Sequence, residues 1–315
     1  MAHEIRITPA DSLQAAINRL PDDGQPAVIR LAPGEYREKV ELRRPHTALL
    51  GSGAGETALV WDDAAADPHP DGLNKGTFRS YTLLVLAADC SLRGLTIRND
   101  AGQREDAGQC VALFADGDGF TCEDCTLVST QDTLFTAPLP PKEALKNGFL
   151  GPTQFLPRTP QRQVYRRCVI KGDVDFIFGG AAAWFEDCDV VCIRRGSRNP
   201  GGYATAASTP EGQKYGYVFH RCRFCGENVP DASFYLGRPW REFGKTVLLD
   251  CCIGPHIRPE GWDNWGKANF AQTGLYAEYG CSGPGSDTSR RADFSRPLTA
   301  EEAAAITFEA FMGSL

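Results

Sequence analysis

Leu92-Arg-Gly-Leu95-Thr-Ile97, Cys122-Glu-Asp-Cys125-Thr-Leu127 and Tyr165-Arg-Arg-Cys168-Val-Ile170 share one pattern. Phe185-Glu-Asp-Cys188-Asp-Val190, Phe219-His-Arg-Cys222-Arg-Phe224 and Leu248-Leu-Asp-Cys251-Cys-Ile253 continue it, with central residues 30, 43, 20, 34 and 29 positions apart. A constant short motif at a variable interval predicts a solenoid whose coils carry insertions of different length on one side. The last two apolar positions lie two apart and so face the same way in a strand. Stacked coils then build an internal column of small apolar side chains. The residues before the central ones read Asp124, Arg167, Asp187, Arg221 and Asp250, alternating in sign. Stacked parallel strands set such opposite charges side by side, worth about 0.2–1 kcal/mol per pair.

Both chain ends suit such a stack. Asp11-Ser-Leu-Gln14 reads as a capping box, and Leu13, Ala16, Ile17 and Leu20 share a face, predicting a short N-terminal helix that caps the first coil. Thr299-Ala-Glu-Glu302 is a second capping box, opening an Ala-rich C-terminal helix with Phe308, Phe311 and Met312 at helical spacing. No linker-like stretch divides the chain, so residues 1–315 read as a single domain with a sizeable core. The longest irregular stretch runs from Pro138 to Gln163; a loop of that length is functional or disordered.

Thirty-three basic against 40 acidic residues give a net charge of −7. That argues against nucleic acid as a partner, which needs cations to neutralise phosphates. It also disfavours fully charged polyanions unless an Arg-lined groove overrides the global field. No segment approaches the roughly 18 consecutive apolar residues of a membrane helix. The N-terminus shows neither the basic flank nor the apolar core of a secretory signal, so a cytoplasmic, bacterial protein is expected, or a secreted one if a leader has been removed. The 12 cysteines allow three readings: disulfides, zinc ligands at Cys122-x-x-Cys125 and Cys222-x-x-Cys225, or buried thiols serving as small hydrophobes. The repeat favours thiols, because Cys122 and Cys125 fall on different motif positions.

Four segments carry chemistry: Gln109-Cys-Val-Ala-Leu113, Gln131-Asp-Thr-Leu134, Gly172-Asp-Val-Asp-Phe-Ile-Phe-Gly179 and Tyr235-Leu-Gly-Arg-Pro-Trp240. Gln131-Asp132 and Asp173/Asp175 follow successive coil motifs at similar offsets, which brings carboxylates of neighbouring coils together on one face. Two carboxylates at close range push one pKa up, making an acid, while the other stays a nucleophile if an arginine holds it ionised. Arg238 is the candidate arginine. Carboxamides at Gln109 and Gln131 can donate to a developing oxyanion without titrating, and Phe178 and Trp240 offer faces for a sugar ring. Alternation puts Asp173 and Asp175 on the same side of a strand, so spacing does not choose between them. Trp262 and Trp265 read equally as core or groove, with a tilt to the groove. Cys110 reads as a buried thiol, and the histidines form no recognisable metal set.

The QDTL, GDVDFIFG and LGRPW segments, in this order, resemble the pectin methylesterase (pectinesterase) family of carbohydrate esterases. The likeness extends to Gly34-Glu-Tyr-Arg-Glu38, Thr82, Gly261-Trp-Asp-Asn-Trp265, Tyr276-Ala-Glu-Tyr279 and Ser282-Gly-Pro-Gly285, about residues 5–312. It implies an all-β, right-handed parallel β-helix that hydrolyses the methyl esters of galacturonan to methanol and free carboxylate. It further implies Asp175 as nucleophile, Asp132 as general acid then base, Gln109 and Gln131 as oxyanion donors and Arg238 positioning Asp175. Thr82, Phe178, Arg238, Trp240 and Trp262 would bind substrate, methyl-esterified homogalacturonan or its oligosaccharides. No metal or organic cofactor is implied, no membrane, and a monomer is expected. A pectate or pectin lyase and a non-catalytic polysaccharide-binding solenoid are the alternatives; paired carboxylates argue against the second.

Overall fold

The computed structural model describes residues 2–195 and 201–314. Its strands form three all-parallel sheets of eleven, eight and seven strands among the described residues. Each complete coil between the two ends visits them in a fixed order. Phe120–Glu123 lies in the eleven-stranded sheet, Thr126–Val128 in the eight-stranded and Leu134–Thr136 in the seven-stranded; Arg162–Arg166 then returns to the first, pairing with Phe120–Glu123. This is a single parallel β-helix.

The interior explains why the motif repeats. Cys125, Cys168, Cys188, Cys222 and Cys251 form a buried inner column, all free thiols. Each marks a corner where the chain leaves one sheet for the next, and the thiol accepts what the ladder there misses: Cys168 N–H donates to Cys188 Sγ at 3.5 Å and Cys188 N–H to Cys222 Sγ at 3.4 Å. Beside it, the rings of Tyr165, Phe185 and Phe219 stack at centroid distances of 4.8 and 4.4 Å. Of the metal-spaced pairs, Cys122 and Cys125 are both buried in the apolar core, and the second pair is split. Cys222 faces the dry interior while Cys225 is half-exposed.

The alternating charges sit elsewhere than expected. Asp124, Arg167, Asp187, Arg221 and Asp250 lie not on strands but in the corner itself, with φ of 51–53°. The left-handed region costs a non-glycine residue about 1–2 kcal/mol, least for Asp. The register still pairs the charges: Arg167 grips Asp124 at 2.7 and 3.1 Å, and Arg221 grips Asp187 through two contacts of 2.9 Å. Being half-exposed, each pair stabilises by no more than about 1 kcal/mol.

The N-terminal helix, Leu13–Arg19, buries Leu13, Ala16 and Ile17 over the open end of the first coil. Its cap is Ser12, whose hydroxyl accepts from Ala15 N–H; Asp11 instead accepts from Thr8. At the other end the Thr299/Glu302 capping box forms as expected, yet the single predicted helix is two, Ala300–Ala304 and Phe308–Met312, the second capped by Thr307. Phe308 and Phe311 pack on Trp184, on the outer face of the eleven-stranded sheet. No described helix is long and apolar enough to cross a membrane.

Because Phe185 is held between two rings, Phe185→Ala should cost about 3–5 kcal/mol, read as a lower denaturant midpoint. A loss under about 1 kcal/mol would mean that the ring column is not a continuous support.

Candidate active site

On the seven-stranded sheet, register aligns Leu84, Phe114, Phe135, Phe178 and Ala206 in one outward row. An outward apolar row must be covered, and Phe78, Tyr81, Leu139 and Phe149 cover part of it. What stays open is a cleft of about 250 Å³ over Phe178. Gln109, Gln131, Asp132, Asp175, Phe178, Arg238 and Trp240 all line it.

Two of these lie on a deliberate irregularity. The register Leu134↔Ile177 carries back to Asp132 beside Asp175, and Asp132 N–H donates to Val174 O at 3.1 Å. The strand Val174–Gly179 carries one extra residue against its other neighbour between Val174 and Ile177, a bulge that contains Asp175. Asp132 and Asp175 have φ of 65° and 50°. Bulges and left-handed residues re-aim side chains at functional sites, and here both carboxyls turn into the cleft.

Arg238 fixes Asp175 by a two-pronged grip: Nε–H donates to Oδ1 at 2.8 Å and Nη2–H to Oδ2 at 2.7 Å. Burial pushes the Asp175 pKa up, and Arg238 is the main force in the opposite direction. Among the described residues Asp132 has no such partner. Its burial, then the charges of Asp175 and Asp173, drive its pKa well above the usual carboxylate range. The pair is therefore split into a group whose surroundings favour the protonated form and a group that an arginine draws towards ionisation. Asp173 is turned to the buried Arg195, whose Nε lies 3.0 Å from Oδ2. Geometry thus separates the two aspartates that spacing left equal. Gln109 and Gln131 are neighbours through Cys110 N–H donating to Gln131 O at 3.0 Å, and both side chains are half-exposed at the cleft.

Two expected substrate contacts lie elsewhere. Thr82 is fully buried, with its hydroxyl donating to Arg98 O, so it ties two sheets together. Trp262 is 1% exposed, stacked on Tyr276 at 4.3 Å with Nε1–H donating to Glu278; it is core. Trp265, three residues on and 39% exposed, takes the place at the cleft. The long insertion that stood out in the sequence forms a wall of the cleft with Ala144, Leu145, Gly148 and Phe149, none of which was singled out there, and Arg241 Nη2–H holds it by donating to Lys142 O at 3.3 Å. Arg241 and Lys267 bring positive charge to this mouth, one over the Trp240 ring and one over Trp265. No group of three or more His, Cys, Asp or Glu side chains among the described residues is placed to hold a metal ion.

A parallel β-helix that gathers two buried carboxyls, an arginine and aromatic faces into one cleft presents the makings of an acid–base enzyme site. The Pectinesterase family profile matches residues 8–139 and 153–314, so the chain belongs to the pectinesterase family of esterases. It is 33% identical over 309 residues to pectinesterase 31 of Arabidopsis thaliana, covering 96% of this chain and 88% of that protein. It is also 33% identical to the probable pectinesterase/pectinesterase inhibitor 64 of the same plant, covering 91% of this chain but only 46% of that one. A pectin methylesterase solved with a hexasaccharide is 30% identical, covers 97% of this chain and 93% of its own, and superposes with a TM-score of 0.79. The unmatched residues, 140–152, include the cleft wall from the insertion.

A raised pKa in the folded state means that Asp132 binds its proton more tightly there than in the unfolded chain. Its contribution to stability falls as pH rises above the ordinary value of 3.8. Asp132→Asn should therefore be more stable than the parent at neutral pH, with the difference shrinking as pH falls towards that value. A denaturation series showing no pH dependence in the difference would contradict the raised pKa.

Proposed function

We propose that this chain hydrolyses the methyl esters of galacturonan, with Asp175 as nucleophile. The observation that carries the reading is the two-pronged Arg238 grip on Asp175 beside the buried Asp132, whose pKa burial and the neighbouring carboxylates push up. An Asp175 oxygen attacks the ester carbonyl carbon, and the carboxamides of Gln109 and Gln131 donate to the oxyanion that forms. The intermediate collapses with cleavage of the carbon–methoxy bond, and the Asp132 proton leaves on methanol. The galacturonyl group is then an anhydride on Asp175. Ionised Asp132 takes a proton from water, whose oxygen attacks the galacturonyl carbonyl. Asp175 departs as carboxylate, Asp132 is protonated again, and the product carboxyl releases its proton to solvent.

Phe178 as floor and Trp240 and Trp265 as flanks supply apolar faces for sugar rings. Arg241 and Lys267 supply a local positive field within a chain of net charge −7, suited to free carboxylates along a partly esterified chain. The hexasaccharide held by the related esterase supports oligogalacturonides as ligands. The N-terminal end of the solenoid is covered by the chain's own helix, which supports a monomer. Twelve unpaired thiols are what supports a cytoplasmic setting.

Asp175→Ala should lower methanol release from esterified oligogalacturonides by at least about a thousandfold while the fold persists. Gln131→Leu should lower kcat roughly 10²–10³-fold, the effect of losing one oxyanion donor. Near-parental methanol release by Asp175→Ala would remove it as nucleophile.

A further inference from the structure

The guanidinium of Arg238 does more than meet Asp175. Its carbon lies 3.8 Å from the Tyr203 ring centroid on one face and 3.7 Å from that of Trp265 on the other. Both are well inside the roughly 6 Å range of a cation–π contact. The column continues in both directions. Tyr203 stacks on Tyr235, its register partner, at 5.2 Å and 7°, and Arg258 lies 5.1 Å over the Tyr235 ring. Beyond Trp265, the Lys267 ammonium stands 4.8 Å from the indole centroid. Arg258, Tyr235, Tyr203, Arg238, Trp265 and Lys267 thus form one column of cations and rings, with Arg238 near the centre.

We infer that Tyr203 is a positioning residue, which together with Trp265 forms a slot that holds Arg238 flat against Asp175. An arginine side chain has many rotamers, and a grip on both carboxylate oxygens needs one plane. Two rings closed on its faces remove the alternatives and keep water off the charge, so the edge that donates to Asp175 stays aimed. Tyr203 does not line the cleft and so would act only through Arg238. Trp265 does line it, held at its backbone by Asp263 Oδ1, which accepts from Trp265 N–H. The turn is fastened from below by Trp262 on the buried Glu278–Arg291 pair. The inference rests on Asp175 as nucleophile and adds what keeps it ready.

The consequence for pH has a definite sign. Arg238 favours ionised Asp175, so loosening the slot raises the Asp175 pKa and moves the acidic limb of activity to higher pH. The other groups bearing on the pair are Asp132, Asp173 with its partner Arg195, Lys267 and Asp263; none of them is altered by a change at Tyr203.

The test is a carboxyl-carbon NMR titration of Asp175, assigned by difference against Asp175→Asn, in the full chain and in Tyr203→Leu, Tyr203→Phe and Trp265→Leu. Tyr203→Leu should raise the Asp175 pKa by about one unit. Trp265→Leu, on an exposed turn, should displace it the same way without disturbing the core. Tyr203→Phe keeps the ring and should recover most of the loss. The acidic limb of kcat should move with the titration, with kcat at its optimum falling on the order of tenfold in Tyr203→Leu. An Asp175 pKa unmoved in both leucine variants overturns the slot. The titration reads the slot whether or not methanol is released, so absence of turnover in the parent would count against the esterase reading alone.

Discussion

In-register stacking of parallel strands is the constraint on which the rest depends. One residue of slip between coils would move Asp132 away from Asp175, turn the thiol column outward and break the Phe114–Phe135–Phe178 row. The inner columns of sulfur and stacked rings set that register. The corners hold it, each turning on a left-handed residue, several of them tied by an ion pair to the coil above or below. The scaffold is a ruler, and the cleft is read off it.

The cleft runs against that regularity in three places. Asp132 and Asp175 adopt left-handed backbone, Asp175 occupies a bulge, and both carboxyls are buried. Each feature is unfavourable for folding taken alone. Arg238 offsets the cost at Asp175, and at Asp132 burial shifts the balance towards the neutral acid. The difference between the two environments is what assigns different tasks to identical side chains.

What the sequence disclosed follows from which forces are local. The motif from Leu92 to Ile253 was legible because one column repeats one requirement on every coil. The closeness of Asp132 and Asp175 was legible because similar offsets from successive motifs survive the 43-residue interval. Trp262 and Trp265 were not distinguishable, because their burial is decided by Glu278 on a later strand. Thr82 was misplaced for a similar reason: its partner is the Arg98 carbonyl in another sheet. Asp11 and Ser12 are equally plausible caps, and the position of Glu38, which accepts from Leu13 N–H, is not written nearby. Tyr203 belongs to no motif; only its pairing with Tyr235 brings it under Arg238.

The central claim is that Arg238 keeps Asp175 ionised beside a protonated Asp132. It is tested most directly by the pH–rate profile for methanol release by Arg238→Gln, which keeps donors but removes the charge. The account predicts a lower maximal rate and an acidic limb moved to higher pH, because Asp175 would then lose its proton only against the full effect of burial. A variant with the parental acidic limb would show that the arginine does not set the ionisation of the nucleophile, and the assignment of roles in the cleft would fall.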